Sequence, residues 1–137
     1  MASYVPTVLA PIGDKRALLF IAGQVPVQDG KRLTGRCPDE VTVEEAQAAA
    51  RLCALNLLAQ MEGAVGLDNV EQVAQLTGFV LSTDDFGEQP KVLNAASELL
   101  VDVLGEAGRH TRAALGTNAL PFSVTVEIAA IVIVRTS

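Results

Sequence analysis

The chain has no tryptophan, one tyrosine, one histidine and two cysteines in 137 residues, and each shortage removes a class of structure or chemistry. With aromatics at 4%, the core has to be built from Ala, Val, Leu and Ile. Two cysteines do not make a disulfide framework, and with a single histidine they leave a zinc site of the usual kind short of ligands. The sequence therefore calls for no metal and no cofactor. One histidine also excludes a two-histidine acid–base pair of the RNase A kind. Cations are scarce too: 10 Lys and Arg face 16 Asp and Glu, for a net charge of −6 and a pI near 4.6. Such a surface repels polyanions, which argues against nucleic acid and anionic lipid, while a few Arg can still gather in one cleft. No serine sits in a G-x-S-x-G context, so an acyl-transfer triad has no support. No apolar run reaches ~18 residues and no basic-plus-apolar leader opens the chain, so a soluble cytoplasmic protein without membrane contact is expected.

What is present reads as one α+β domain over residues 1–137, half apolar and 19% charged. Residues 1–16 hold two prolines and a Gly-Asp turn, the marks of a loop or short edge strand. An apolar run over 18–25 predicts a strand, and Asp29-Gly30 a hairpin turn behind it. Thr42 and Glu45 form a T-x-x-E capping box ahead of Val43, Ala46, Ala50, Cys53, Leu57, Met61 and Ala64. That spacing predicts a helix over about 43–65, ended by Gly66. A strand over 70–82 and a helix over about 88–104 follow, the helix with Val92, Ala96, Leu99, Leu100 and Val103 on one stripe. Gly105 and Gly108 stop it. Residues 124–135 are a long strand, and 111–119 read as a strand by their position beside it. Cys53 reads as a core residue, and Cys37, before Pro38, gives little sign of reactivity.

Both faces of these strands are apolar. In 124–135, Val124, Val126, Ile128, Ala130, Val132 and Val134 alternate with Thr125, Glu127, Ala129, Ile131, Ile133 and Arg135. Two helices can cover only one face of a four- or five-stranded sheet. At ~25 cal/mol per Å² of apolar surface, a wet second face over several strands would cost many kcal/mol. Self-association is the simplest cover.

Arg112, then Leu120-Pro121, then Val126-Glu127-Ile128 with Ala130-Ile131, resembles the ending of the RidA/YjgF family. Ala22-Gly23-Gln24-Val25-Pro26 is similar to that family's [ST]-G-Q-x-P strand end. Thr42 to Ala46, Asp85-Phe86 and Asn94 extend the likeness over about residues 17–134, and GEAGRHTRAALG resembles a longer-chain subgroup. The resemblance implies a chorismate-mutase-like fold: a mixed sheet with two helices on one face, assembled as a homotrimer with sites between subunits. It further implies binding of small 2-oxo or 2-imino acids and hydrolysis of reactive enamines and imines to 2-oxo acids and ammonia.

On that resemblance Arg112 is the carboxylate anchor, because a planar guanidinium takes a carboxylate by two parallel hydrogen bonds. Read alone, it is a surface Arg near a strand start. Glu127 matches the residue that activates or orients water. Its alternative is a structural ion pair with an Arg on an adjacent strand, since a carboxylate in so apolar a strand needs a cation or a polar cleft. Asn94 and Gly23 match further cleft positions, with a plain helix residue and a β-bulge as their alternatives. Tyr4 matches a site-closing tyrosine loosely, and His110 is placed to cap the second helix. Ala22, Ala114 and Ala129 stand where many active members carry Ser or Thr, Cys and Glu. Those departures keep open a non-catalytic binder of 2-oxo acids, while net charge ranks an endoribonuclease last.

Overall fold

The computed structural model describes residues 3–137, so the first two residues of the 1–16 segment lie outside the described residues. Thr7–Gly13 forms an edge strand, β1, paired antiparallel with β2 (Arg16–Gln24) through Val8↔Phe20 and Ala10↔Leu18. Pro11 is tolerated there because an outer strand need not donate every N–H. A ribbon of β3 (Val27–Gln28) and β4 (Lys31–Arg32) follows, turned by Asp29 and Gly30 at φ 54° and 77°. Positive φ at both central residues is the turn that matches the right-handed twist of a hairpin.

Helix α1 (Val43–Ala64) begins with the complete capping box. Glu45 N–H donates to Thr42 Oγ1 at 3.0 Å, and Thr42 N–H donates to Glu45 Oε1 at 2.9 Å. Gly66, at φ 85°, turns the chain away and returns its N–H to the Met61 and Glu62 carbonyls. The inner face of α1 is largely Ala46, Ala49, Ala50, Cys53 and Ala54, small residues that let the helix lie close to the sheet, with Leu57, Leu58 and Met61 beyond them. Helix α2 (Gln89–Leu104) buries Val92, Leu93, Ala96, Leu99 and Leu100. Ala64 and Val103, at the last turns, are exposed instead of continuing their stripes.

Strands β5 (Val70–Leu81), β6 (Thr111–Thr117) and β7 (Val126–Arg135) complete one five-stranded sheet in the order β1-β2-β7-β5-β6. The expectation that 111–119 lies beside the last strand is corrected. β6 pairs parallel with β5, and β5 stands between β6 and β7. The reason is topological: α2 carries the chain from the end of β5 back to its start, and a helical crossover of this kind delivers a parallel neighbour.

Along β7, Val126, Ile128, Ala130, Val132 and Val134 are buried toward the helices, while Glu127, Ala129, Ile131 and Ile133 are half-buried on the other face. Register places Val8, Leu18, Phe20, Phe79 and Leu115 on that same open face. Phe20 is 40% exposed and Leu115 47%. Among the described residues the buried core contains no aromatic side chain, and no helix is long and apolar enough to cross a membrane.

Because both halves of the capping box are made, Thr42→Ala is expected to lower stability by about 1 kcal/mol. Urea unfolding followed by far-UV circular dichroism checks this, and the midpoint should fall with an unchanged slope.

Candidate functional site

Two polar clusters form, and they lie on opposite faces of the sheet. The first is held between β6 and α2. Arg112 pairs in register with Leu76, a helix-facing residue, so its side chain rises toward α2. There Pro90, Asn94 and Ser97, at helical spacing i, i+4, i+7, present one stripe to it. Arg112 Nη1 donates to Asn94 Oδ1 at 2.9 Å and to Ser97 Oγ at 3.1 Å, and Nη2 reaches the Pro90 carbonyl at 3.4 Å. Among the described residues no carboxylate lies within 4.0 Å of this guanidinium. Ala114, two residues along β6, shares the face and packs partly against the core beside Gly78.

The second cluster sits where β2 leaves the sheet. Between Ile21↔Ala130 and Gln24↔Ile128, Ala22 and Gly23 together oppose Ala129 alone, which is a β-bulge. The bulge reading of Gly23 therefore holds, and it has a steric cause. A Cβ at Gly23 would collide with Glu127 Oε2 and stand 2.9 Å from Glu127 Cδ. The missing side chain is the space that the carboxylate occupies. Glu127 is half-buried and, among the described residues, has no cation within 4.0 Å. Tyr4, 68% exposed, joins Ala22 and Gly23 around an adjoining depression of about 580 Å³ that Asn56 of α1 also lines and Glu127 does not.

A structural pair between Arg112 and Glu127 is thereby excluded within one chain. Glu127 aligns with Phe79 and Phe79 with Leu115, three positions beyond Arg112. The two groups are separated by roughly 10 Å along the strands and roughly 10 Å across them, on opposite faces.

His110 does not cap α2 itself. Its Nδ1 lies 2.6 Å from the carbonyl of Gly108, in the short turn after the helix, and its Nε2 lies 2.8 Å from Ser97 Oγ. Ser97 is the member of this cluster that sequence reasoning missed. The available signal was its place three residues after Asn94, on the same helical face. Cys37 and Cys53 are free and buried. Burial pushes both thiols up, Cys53 far up, with the Glu127 charge adding to it. Among the described residues no group of three or more His, Cys, Asp or Glu could hold a metal ion.

The sequence matches a family model described as "YjgF/chorismate mutase-like, putative endoribonuclease" over residues 5–132. It is 47% identical over 117 residues to Protein TCP17 of Trypanosoma cruzi, covering 83% of this chain and 73% of that one. The crystal structure of Atu1372 from Agrobacterium tumefaciens, a protein of unknown function, superposes with a TM-score of 0.90 at 46% identity, covering 98% of this chain and 83% of that one. E. coli TdcF with bound serine superposes with a TM-score of 0.65 at 28% identity, covering 99% and 91%.

The contact between Gly23 and Glu127 makes the two positions interdependent. Gly23→Ala is expected to cost about 1–3 kcal/mol, as overpacking does. In a Glu127→Ala background the same change should cost at least about 1 kcal/mol less. A double-mutant cycle by urea denaturation measures that coupling.

Proposed function

Because the chain belongs to the YjgF/chorismate mutase-like family, we propose that it binds small 2-oxo and 2-imino acids in clefts between the subunits of a homotrimer and hydrolyses the imino form to a 2-oxo acid and ammonia. The observation that carries this reading is the separation of two incomplete half-sites. Arg112 is braced mainly through Nη1 and, among the described residues, has no anionic partner, Glu127 has no cationic one among them, and a single chain keeps the two on opposite faces. A ligand needing both must draw them from two chains. The uncovered apolar face around Phe20, Ile131, Ile133 and Leu115 is the surface on which copies would pack. A relative crystallised with serine, whose α-carboxylate is the group a guanidinium grips, is in keeping with this.

In the reaction, Arg112 takes the substrate carboxylate. Glu127 accepts a proton from water as the oxygen attacks the carbon of the C=N bond and passes it to the nitrogen. It then takes the hydroxyl proton of the adduct and delivers it to the amino group, which leaves as ammonia. The tetrahedral adduct thereby collapses to the 2-oxo acid, and the carboxylate returns to its starting state. Positioning supplies much of the acceleration, because uncatalysed imine hydrolysis is already quick.

One observation favours a second reading, a non-catalytic 2-oxo acid binder. Ala22, Ala114 and Ala129 bring no hydroxyl, thiol or second carboxylate to either cluster. RNA cleavage ranks last, with a net charge of −6 and a single histidine.

Light scattering at micromolar concentration should give three times 14.3 kDa, and a monomer mass would refute the shared cleft. Arg112→Lys keeps the charge but loses the fork, so pyruvate affinity by calorimetry should fall at least about tenfold. Glu127→Gln should leave that affinity nearly unchanged while ammonia release from freshly generated imino acids drops ~100-fold or more. Equal rates for wild type and Glu127→Gln would leave the binder standing.

A further inference from the structure

The geometry points to Ser97 and His110 as positioning residues for Arg112, linked as a hydrogen-bond relay that fixes which edge of the guanidinium is presented to a carboxylate. This deepens the reading of Arg112 as the carboxylate anchor and rests on it.

The relay has a definite direction. A carbonyl oxygen can only accept, so His110 Nδ1, 2.6 Å from Gly108 O, carries the hydrogen. In the neutral imidazole Nε2 is then an acceptor, and Ser97 Oγ at 2.8 Å donates to it. With its one hydrogen committed, the hydroxyl turns a lone pair to Arg112 Nη1 at 3.1 Å. Asn94 Oδ1 takes the second Nη1 hydrogen at 2.9 Å. Both hydrogens of Nη1 are thus spent. Nη2 has one long bond to the Pro90 carbonyl, and among the described residues Nε has none. The edge left over is Nε–H with the Nη2–H beside it, the parallel pair of donors that a carboxylate accepts side-on.

Ser97, His110 and Arg112 are all half-buried, in the seam between α2 and β6. Without the hydroxyl, Arg112 keeps only Asn94 and the long contact to Pro90, and the plane of the guanidinium is free to turn. Holding it in advance removes an ordering cost from ligand binding. The rival account is a brace that merely ties α2 to β6. A brace would act on stability alone.

The test uses the full chain with pyruvate as probe. Ser97→Ala and His110→Ala should each raise the pyruvate Kd about tenfold, and the double variant should match the single ones, since both act through one chain of bonds. Ser97→Thr, which keeps the hydroxyl, should stay within about twofold of wild type. Nitrogen-15 spectra of the ligand-free protein give a readout that needs no ligand. Arg112 Nη signals resolved in wild type should average in Ser97→Ala, and His110 should show the Nδ1–H tautomer. Additive losses, an unchanged Kd, or Arg112 signals indifferent to Ser97→Ala would overturn the relay. If wild type fails to bind pyruvate or any other 2-oxo acid, the anchor reading falls, and the relay still stands or falls on the Arg112 signals.

Discussion

Strand β7 lies between hydrogen-bonded neighbours on both sides, and its two-residue alternation fixes what each face of the sheet can be. Five of its residues from Val126 to Val134 enter a core with almost no water contact. The intervening ones, Ala129, Ile131 and Ile133 among them, form a second, largely apolar surface that stays half-exposed. A one-residue slip against β2 or β5 would exchange the two faces and put Glu127 under the helices, so register is held by the cost of burying that charge. The lack of aromatics in the buried core, among the described residues, reinforces this. A core of Ala, Val, Leu and Ile packs α1 close to the sheet through its alanines and leaves little room for a misplaced polar group.

The same alternation accounts for the separation of the two clusters. Arg112 shares the helix-facing parity of Leu76, and Glu127 shares the open-face parity of Phe79. Neither parity can change without unpairing a strand. The carboxylate finds its place only because β2 bulges at Ala22-Gly23 and Gly23 has no side chain there. The guanidinium finds its place because α2 turns Pro90, Asn94 and Ser97 toward β6. Among the described residues the guanidinium is braced by Asn94 and Ser97 yet meets no carboxylate, and the Glu127 carboxylate meets no cation.

Much of the fold was legible in the sequence because it depends on near neighbours. Thr42 and Glu45 cap each other three residues apart, Gly66 and Gly105 take positive φ where the helices end, and Asp29-Gly30 closes its ribbon. Arg112, Glu127, Asn94 and Gly23 were found through a resemblance, and the structure assigns them to two clusters. Ser97 escaped because a serine in an amphipathic helix carries no mark of its own. Its meaning comes from His110 and Arg112, which arrive 13 and 15 residues later.

The sequence by itself determined the element types, the aromatic-poor core and the two apolar faces of the strands, since periodicity and capping act over a few residues. Tertiary structure alone decided that β5 separates β6 from β7, that Gly23 gives way to the Glu127 carboxylate, and that Arg112 and Glu127 face away from each other. The first and last depend on strand order, which is set by how the α2 crossover returns to the sheet, and the second on the bulged pairing of β2 with β7, strands far apart in the chain.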